Sequence, residues 1–136
     1  MSEPKAKNTK PAENRQPLIF VVDDEPMLLE LAAIILEPQG YVLKTFRDPE
    51  AAAEAFTKAS PRPDVVITDY AMHSMNGMQL VEKIHRVEPR QKILLVSGTV
   101  GEEVFGTSPA KPDLFLAKPY QAHQLTEAVK SLLDRK

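Results

Sequence analysis

The chain has 136 residues, 43% of them hydrophobic, and this length suits one compact domain. Its 17 basic and 19 acidic residues give a formal net charge of -2, so we expect no broad cationic surface for a nucleic acid. Cysteine is absent, which excludes disulfides, thiolate metal ligands and thiol nucleophiles. Because neither a signal-peptide pattern nor an apolar run of ~20 residues is present, we expect a cytoplasmic protein without membrane insertion.

The N-terminal segment, residues 1–16, has no regular apolar spacing. Basic residues outnumber acidic ones in it, and prolines interrupt any helical or strand period. We therefore expect residues 1–16 to form a disordered tail and residues 17–136 to form the folded domain.

From Leu18 onward, short apolar segments alternate with amphipathic ones. The apolar segments are rich in β-branched residues, as buried parallel strands are. Strands are expected at Leu18–Val22, Tyr41–Phe46, Asp64–Asp69, Gln91–Ser97 and Asp113–Ala117. Helices are expected from the Asp24 cap to Pro38, from Asp48 to Lys58, from Gly77 to Val87 and from Gln121 to Leu133. The apolar spacing predicts that the first of these helices buries Leu28, Leu31 and Ile35, and that the third buries Leu80, Ile84 and Val87.

This alternation predicts an α/β fold, because strands joined by helical crossovers form a mainly parallel sheet with helices on both faces. We expect a flavodoxin-like (βα)5 doubly wound parallel sheet with strand order 2-1-3-4-5 in a single domain. Between the fourth and fifth strands a long helix is disfavoured, since each interior glycine costs about 0.8 to 1 kcal/mol and each interior proline about 3. At most residues 102–105 should be helical within the glycine- and proline-rich segment 98–112.

Polar residues follow or close the strands at one end of the predicted sheet. Ligand sites in such sheets lie outside the carboxyl ends of the strands, so we expect these side chains to meet. They are Asp23 and Asp24 after the first strand, Asp69 at the end of the third, Ser97 at the end of the fourth, and Lys118 after the fifth.

Three carboxylates this close repel one another by roughly 4 kcal/mol per pair at 4 Å and an effective dielectric near 20. A cation is therefore expected among them, and Mg²⁺ prefers oxygen ligands and also binds phosphate oxygens. Lys118 supplies a second positive charge, and Ser97 a hydroxyl donor. A carboxylate in such a site can act as the nucleophile that forms an aspartyl-phosphate.

Three motifs resemble the receiver domains of two-component response regulators, over roughly residues 17–136. They are VVDDEP at residues 21–26, DYAM at residues 69–72 with Met75 and Gly77 after it, and KP at residues 118–119. The resemblance implies that Asp69 is the phosphoacceptor. It also implies that Mg²⁺ is bound by Asp24, Asp69 and the backbone carbonyl of Ala71, with Asp23 acting chiefly through metal-bound water.

The resemblance further implies that Ser97 and Lys118 contact the phosphoryl group, and that Ser97 and Phe115 form the conformational switch. The phosphoryl donor would be a histidine kinase or a histidine phosphotransfer protein, and the output would pass to an unknown downstream protein through protein contacts. Such a domain is a signalling phosphoacceptor, which promotes its own phosphorylation and dephosphorylation, and not an enzyme in the usual sense. The apolar surplus on the first helix, residues 27–36, suits a docking surface for the kinase.

Some residues have simpler interpretations. Asp24 is also suited to capping the first helix, and Phe115 to a place in the core. His73 stands where the family usually has proline, and we interpret it as a polar loop residue and not as a metal ligand, because no second histidine has suitable spacing. His85 and His123 are expected to be exposed on helices.

Other functions fit this sequence less well than a phosphoacceptor does. A Mg²⁺-dependent aspartyl-phosphate hydrolase of another fold could use similar residues, but no second aspartate stands two positions after Asp69. A pseudo-receiver would keep the fold as an interaction module without taking phosphate, yet all five site positions hold chemically competent residues. A flavodoxin-like cofactor binder would need a glycine-rich loop after the first strand. The loop here is acidic and lacks glycine, so it would repel a flavin phosphate.

Overall fold

The computed structural model describes residues 16–99 and 110–135. Five parallel strands form one sheet in the order β2-β1-β3-β4-β5, as predicted. The strands are β1 (Leu18–Val22), β2 (Val42–Phe46), β3 (Val65–Asp69), β4 (Ile93–Ser97) and β5 (Leu114–Ala117). The α-helices within the described residues are α1 (Pro26–Leu36), α2 (Pro49–Lys58), α3 (Gly77–Val87) and α4 (Ala122–Asp134), and a 3-10 turn, Glu37–Gln39, follows α1.

Two predictions fall on residues that lie outside the described ranges. One is the disordered tail over residues 1–16, of which only Gln16 is described, and the other is the short helix at residues 102–105. No helix among the described residues combines the length and the apolar character that crossing a membrane requires.

The core consists of two apolar layers, one on each face of the sheet. Alternate residues of a strand point to opposite faces, so each central strand contributes to both layers. One layer packs β1, β3 and β4 against α1 and α4, and its buried members include Ile19, Val65, Leu94, Leu125 and Leu132. The other packs the same strands against α2 and α3, through residues that include Phe20, Val66, Leu95, Phe56 and Ile84. This confirms the doubly wound architecture.

The buried face of α1 differs from the predicted one. Leu29, Ala32 and Leu36 are buried, whereas Leu31 is 41% exposed. The predicted stripe of Leu28, Leu31 and Ile35 is therefore wrong at Leu31, and Leu28 and Ile35 are only partly buried. The sequence of α1, PMLLELAAIIL, is apolar on nearly every side, so its period does not select one face.

Two side chains of α3 also differ from expectation. Val87, predicted to point inward, is 38% exposed at the last position of the helix, so the prediction is wrong there. His85 is half-buried, and its Nε2 lies 3.2 Å from the carbonyl oxygen of Gln91, so the prediction of an exposed ring is wrong there. His123 on α4 is exposed, as predicted.

The start of α3 lies against the end of β3. Asn76 and Gln79 form a capping box, which satisfies backbone donors in the first turn of the helix. A Cβ atom at Gly77 would lie 2.5 Å from the carbonyl oxygen of Asp69 and 2.7 Å from Leu95 Cδ1. Only glycine permits this approach, and it fixes the loop of residues 70–76 beside the carboxyl end of β3.

Candidate functional site

Three aspartates meet at the carboxyl ends of β1 and β3, which are neighbours in the sheet. One carboxylate oxygen from each of Asp23, Asp24 and Asp69 lies within 4.8 Å of the other two. Asp23 and Asp69 are buried, whereas Asp24 is partly exposed. The sheet-edge rule thus predicted this cluster correctly from sequence.

Lys118 reaches this cluster from the far side of β4. It follows β5, and its backbone N–H donates to the carbonyl of Ser97 at 2.9 Å. Its Nζ lies 3.0 Å from Asp69 Oδ1 and 3.4 Å from Asp23 Oδ2. The ammonium therefore bridges two of the three carboxylates, at the place where negative charge is densest.

The charged groups of this site shift one another's pKa values. The pKa of Asp69 is raised, chiefly because burial disfavours the carboxylate and also because Asp23 is close, although the hydrogen bond from Lys118 opposes the rise. For Lys118, burial lowers the pKa, but the hydrogen bond to Asp69 and the charges of both aspartates outweigh it, so the pKa is raised overall. Lys118 is consequently stabilised in its protonated, positively charged form, whereas the ionised form of Asp69 is disfavoured.

Tyr120 lies near the same charges, although sequence reasoning did not single it out. Burial raises the pKa of its hydroxyl, and Asp23 and Asp69 raise it further, while Lys118 acts in the opposite direction. The ring packs against the apolar layer beneath α1 and α4. Tyr120 thus joins the site to the core, and its position two residues after Lys118 was the available signal.

The loop after β1 places Asp23 and Asp24 differently. Asp23 is held on both sides, because its N–H donates to the carbonyl of Phe46 and its Oδ1 accepts from the N–H of Glu25, each at 3.0 Å. Asp24 does not cap α1: the N-cap residue is Glu25, and no side chain caps it. The simpler interpretation of Asp24 as a helix cap is therefore wrong, because Pro26 begins the helix one residue later than a cap at Asp24 requires.

Asp24 instead contacts His73, whose Nδ1 lies 3.1 Å from Asp24 Oδ2. His73 belongs to the loop between β3 and α3, and its side chain is 86% exposed against 19% for Asp24. Sequence reasoning placed His73 in a polar loop and did not foresee this partner. No sequence pattern pairs two loops that face each other across the end of a sheet.

The remaining predicted residues lie around this cluster. Ser97 is buried at the end of β4, where its Oγ accepts from the N–H of Thr99 at 3.1 Å. Phe115, on the edge strand β5, is half-buried and packs against the apolar layer beneath α2 and α3. Ala71 is exposed two residues beyond Asp69. The structure thus brings the three aspartates and Lys118 into contact, with Ser97, Ala71 and Phe115 on neighbouring segments.

The cluster suits a divalent ion that prefers oxygen ligands. Its donors are carboxylate oxygens, and even at 4.8 Å each pair of carboxylates repels by about 3.5 kcal/mol at an effective dielectric of 20. Mg²⁺ is commonly bound by one or two carboxylates together with water and substrate phosphate. A partly exposed group of three carboxylates, with Asp24 facing solvent, fits that mode of binding.

Comparison with known proteins agrees with this geometry. The family model of the response regulator receiver domain matches residues 19–130. The chain belongs to this family. The resemblance noted in the sequence is thus confirmed, and receiver domains are two-component signalling modules that bind Mg²⁺ at an acidic cluster and are phosphorylated on aspartate.

Individual relatives of this receiver domain are distant in sequence. The probable transcriptional regulatory protein TcrX of Mycobacterium tuberculosis is 28% identical over 126 residues, which are 91% of this chain and 53% of TcrX. The chain therefore spans about half the length of that relative. Among solved structures, the CheY-like receiver domain protein of Methanospirillum hungatei is 26% identical with a TM-score of 0.80, over 88% of this chain and 94% of that one.

A second solved structure bears on the ligand chemistry of receiver domains. The response regulator TrrA of Thermotoga maritima, crystallised in complex with Mg²⁺ and BeF, is 28% identical with a TM-score of 0.75. The match covers 86% of this chain and 99% of TrrA. A receiver domain with the same fold thus accommodates a divalent metal together with a beryllium fluoride.

Proposed function

We propose that this receiver domain accepts a phosphoryl group on Asp69 from a histidine kinase or a histidine phosphotransfer protein. The observation that carries the proposal is the position of Asp69. Its carboxylate closes a central strand, lies within 4.8 Å of two other carboxylates, and is 3.0 Å from the Lys118 ammonium. A nucleophile flanked by a cation and by oxygen ligands is what phosphoryl transfer requires, because most of its catalysis is positioning and charge neutralisation.

The same proposal assigns the ligands of the metal. Asp24, Asp69 and the backbone carbonyl of Ala71 would hold Mg²⁺, and Asp23 would act through water. Mg²⁺ bound there would neutralise charge on the phosphoryl oxygens. Asp23 is fixed by its two backbone hydrogen bonds, which suits a residue that orients others and does not move during the reaction.

The chemical step is a displacement at phosphorus. One oxygen of Asp69 forms a bond to phosphorus while the bond from phosphorus to the donor's imidazole nitrogen breaks, and the electron pair leaves with that nitrogen. Lys118 then donates to a phosphoryl oxygen, exchanging its hydrogen bond with Asp69 Oδ1 for one with the new group. The Ser97 hydroxyl, at the end of the neighbouring strand, would donate to another phosphoryl oxygen.

The signal would then pass through Ser97 and Phe115 to a downstream protein. Ser97 is bonded to the backbone of Thr99, so a shift of its hydroxyl toward Asp69 would displace the chain after β4. Phe115 is half-buried on β5 and would turn further inward. In this proposal residues 17–136 act as the receiver domain, and residues 1–16 as a tail.

Phosphorylation by acetyl phosphate tests the proposal without any knowledge of the kinase. The full chain is incubated with acetyl phosphate and Mg²⁺, and its intact mass is measured beside a sample that contains chelator. We expect one added phosphoryl group only where Mg²⁺ is present. A chain that gains none under any divalent metal would instead be a pseudo-receiver, an interaction module with an intact fold.

A further inference from the structure

A narrow cavity lies beneath the acidic cluster, between the sheet and the helices α1 and α4. Its volume is about 20 Å³. Most of its walls are apolar side chains of β1, β3, β4 and the two helices. The polar side chains that line it are Asp23, Asp69, Lys118 and Tyr120. The cavity therefore joins the proposed phosphoacceptor to Tyr120, a residue to which the mechanism above gives no part.

The size and the polarity of this cavity suit one water molecule. A buried water needs roughly 10 to 15 Å³ of space and two to four polar partners. The cavity provides the space, and its four polar side chains provide the partners. A carboxylate that is withdrawn from solvent is also costly unless hydrogen-bond donors reach it. Hydration of the cavity is therefore favoured over an empty space.

The Tyr120 hydroxyl lies near the charged groups without being bonded to them. Its pKa responds to the charges of Lys118, Asp23 and Asp69, so these groups are close to it. Among the residues that the structure describes, however, none forms a hydrogen bond with this hydroxyl. Because burial raises its pKa, the hydroxyl stays protonated and can donate. Polar groups that face each other beyond hydrogen-bond distance are commonly bridged by water.

We propose that one water molecule binds in this cavity and joins the Tyr120 hydroxyl to the carboxylates of Asp23 and Asp69. The water accepts from the hydroxyl and donates one hydrogen bond to each carboxylate. This gives Asp69 a second donor besides Lys118 and restricts the rotation of its side chain. A nucleophile that is held in one orientation reacts faster. Tyr120 is thus a positioning residue, and this role rests on the proposed function of Asp69.

High-resolution crystal structures of the full chain test the water directly. In the wild type we expect one water in the cavity, about 2.5 to 3.0 Å from the Tyr120 hydroxyl and within hydrogen-bond distance of Asp23 and Asp69. Tyr120→Phe removes only the hydroxyl and should leave this water weakly occupied or absent. A wild-type cavity without water, or a water that is not bonded to Tyr120, would overturn the proposal.

The kinetics of phosphorylation test the positioning role. With Mg²⁺ and varied acetyl phosphate, Tyr120→Phe should lower the maximal rate by about three- to tenfold, which is what one hydrogen bond contributes. The half-saturating concentration of acetyl phosphate should change by less than about twofold, since Tyr120 does not contact the donor. A rate equal to that of the wild type would refute the positioning role.

Tyr41→Phe is the matched control. Tyr41 packs against the same apolar layer as Tyr120, and burial raises its pKa too, but the charge near it is that of Asp134. The substitution should therefore leave the phosphorylation rate unchanged. Equal slowing in both variants would show that a lost hydroxyl acts by loosening the layer, and would also refute the proposal.

The two experiments separate this inference from the proposed function. If the wild type takes up no phosphoryl group, the proposed function fails and the positioning role of Tyr120 fails with it, whereas the crystal structure still shows or refutes the water. If the wild type is phosphorylated and Tyr120→Phe reacts at the same rate, only the role of Tyr120 is refuted.

Discussion

Asp69→Asn should stabilise the metal-free protein, although it removes an ion pair. The carboxylate of Asp69 lies within 4.8 Å of those of Asp23 and Asp24. It is compensated chiefly by Lys118 at 3.0 Å and, to a smaller degree, by a hydrogen bond from the backbone of Tyr70. Asparagine keeps the shape of the side chain and loses its charge. Lys118 retains a carboxylate partner in the variant, since Asp23 Oδ2 is 3.4 Å from its Nζ.

Coulomb's law at an effective dielectric of 20 gives the expected size. Each repulsion at the outer limit of 4.8 Å is worth about 3.5 kcal/mol, and the attraction to Lys118 at 3.0 Å about 5.5 kcal/mol. Two repulsions exceed one attraction by about 1.5 kcal/mol. The raised pKa of Asp69, caused chiefly by burial, agrees in direction, because it shows that the charged form is disfavoured in the folded state.

Urea unfolding in the presence of chelator measures this difference. The unfolding free energy of Asp69→Asn should exceed that of the wild type by about 1 to 2 kcal/mol. With Mg²⁺ the difference should shrink or reverse, because the metal stabilises the folded wild type by mass action. Glu127→Gln, an exposed change on α4, should alter neither value. If Asp69→Asn were the less stable protein in chelator, the ion pair with Lys118 would dominate and the repulsion argument would be refuted.

Three further predictions concern pH, metal and packing. The pKa of Asp69 is raised above 3.8 in the folded protein, so ionising Asp69 destabilises the fold. The unfolding free energy of the metal-free wild type should therefore fall relative to that of Asp69→Asn as the pH rises through the raised pKa. Unfolding free energies of the two proteins that change in parallel with pH would contradict this. Mg²⁺ should raise the melting temperature of the wild type but not of Asp24→Ala, and equal shifts would exclude Asp24 as a ligand. Gly77→Ala should lower the unfolding free energy by about 1 to 3 kcal/mol, because the added Cβ would clash with the Asp69 carbonyl and Leu95. An unchanged urea midpoint would show that the loop shifts and relieves this clash.

Most of the fold follows from local signals in the sequence. α3 spans Gly77–Val87, the predicted bounds, because Asn76 caps it and its apolar period is clear. The β3 strand, one apolar run from Val65 ending at Asp69, is buried at every position, as a central parallel strand should be. The inward face of α1 was not predictable, because an almost wholly apolar helix can turn any of several faces toward the sheet and bury a similar number of apolar side chains.

The site was predictable as far as topology determines it. The rule for parallel sheets brought Asp23, Asp24 and Asp69 together, and the length of a lysine side chain allowed Lys118 to reach them. The contact of His73 with Asp24 was not predictable, because it depends on how two irregular loops are placed relative to each other. Local propensities carry no information about such a distance.

Chemical mapping of the phosphorylated residue tests the central claim most directly. Borohydride reduces an acyl phosphate to an alcohol, so a phosphorylated aspartate becomes homoserine and is identified by peptide mass spectrometry. After treatment with acetyl phosphate and Mg²⁺, the account predicts homoserine at position 69 in the wild type, and none in a sample prepared with chelator. Homoserine at Asp23 or Asp24 with Asp69 unmodified, or no homoserine at all in a chain that has gained a phosphoryl group, would contradict it.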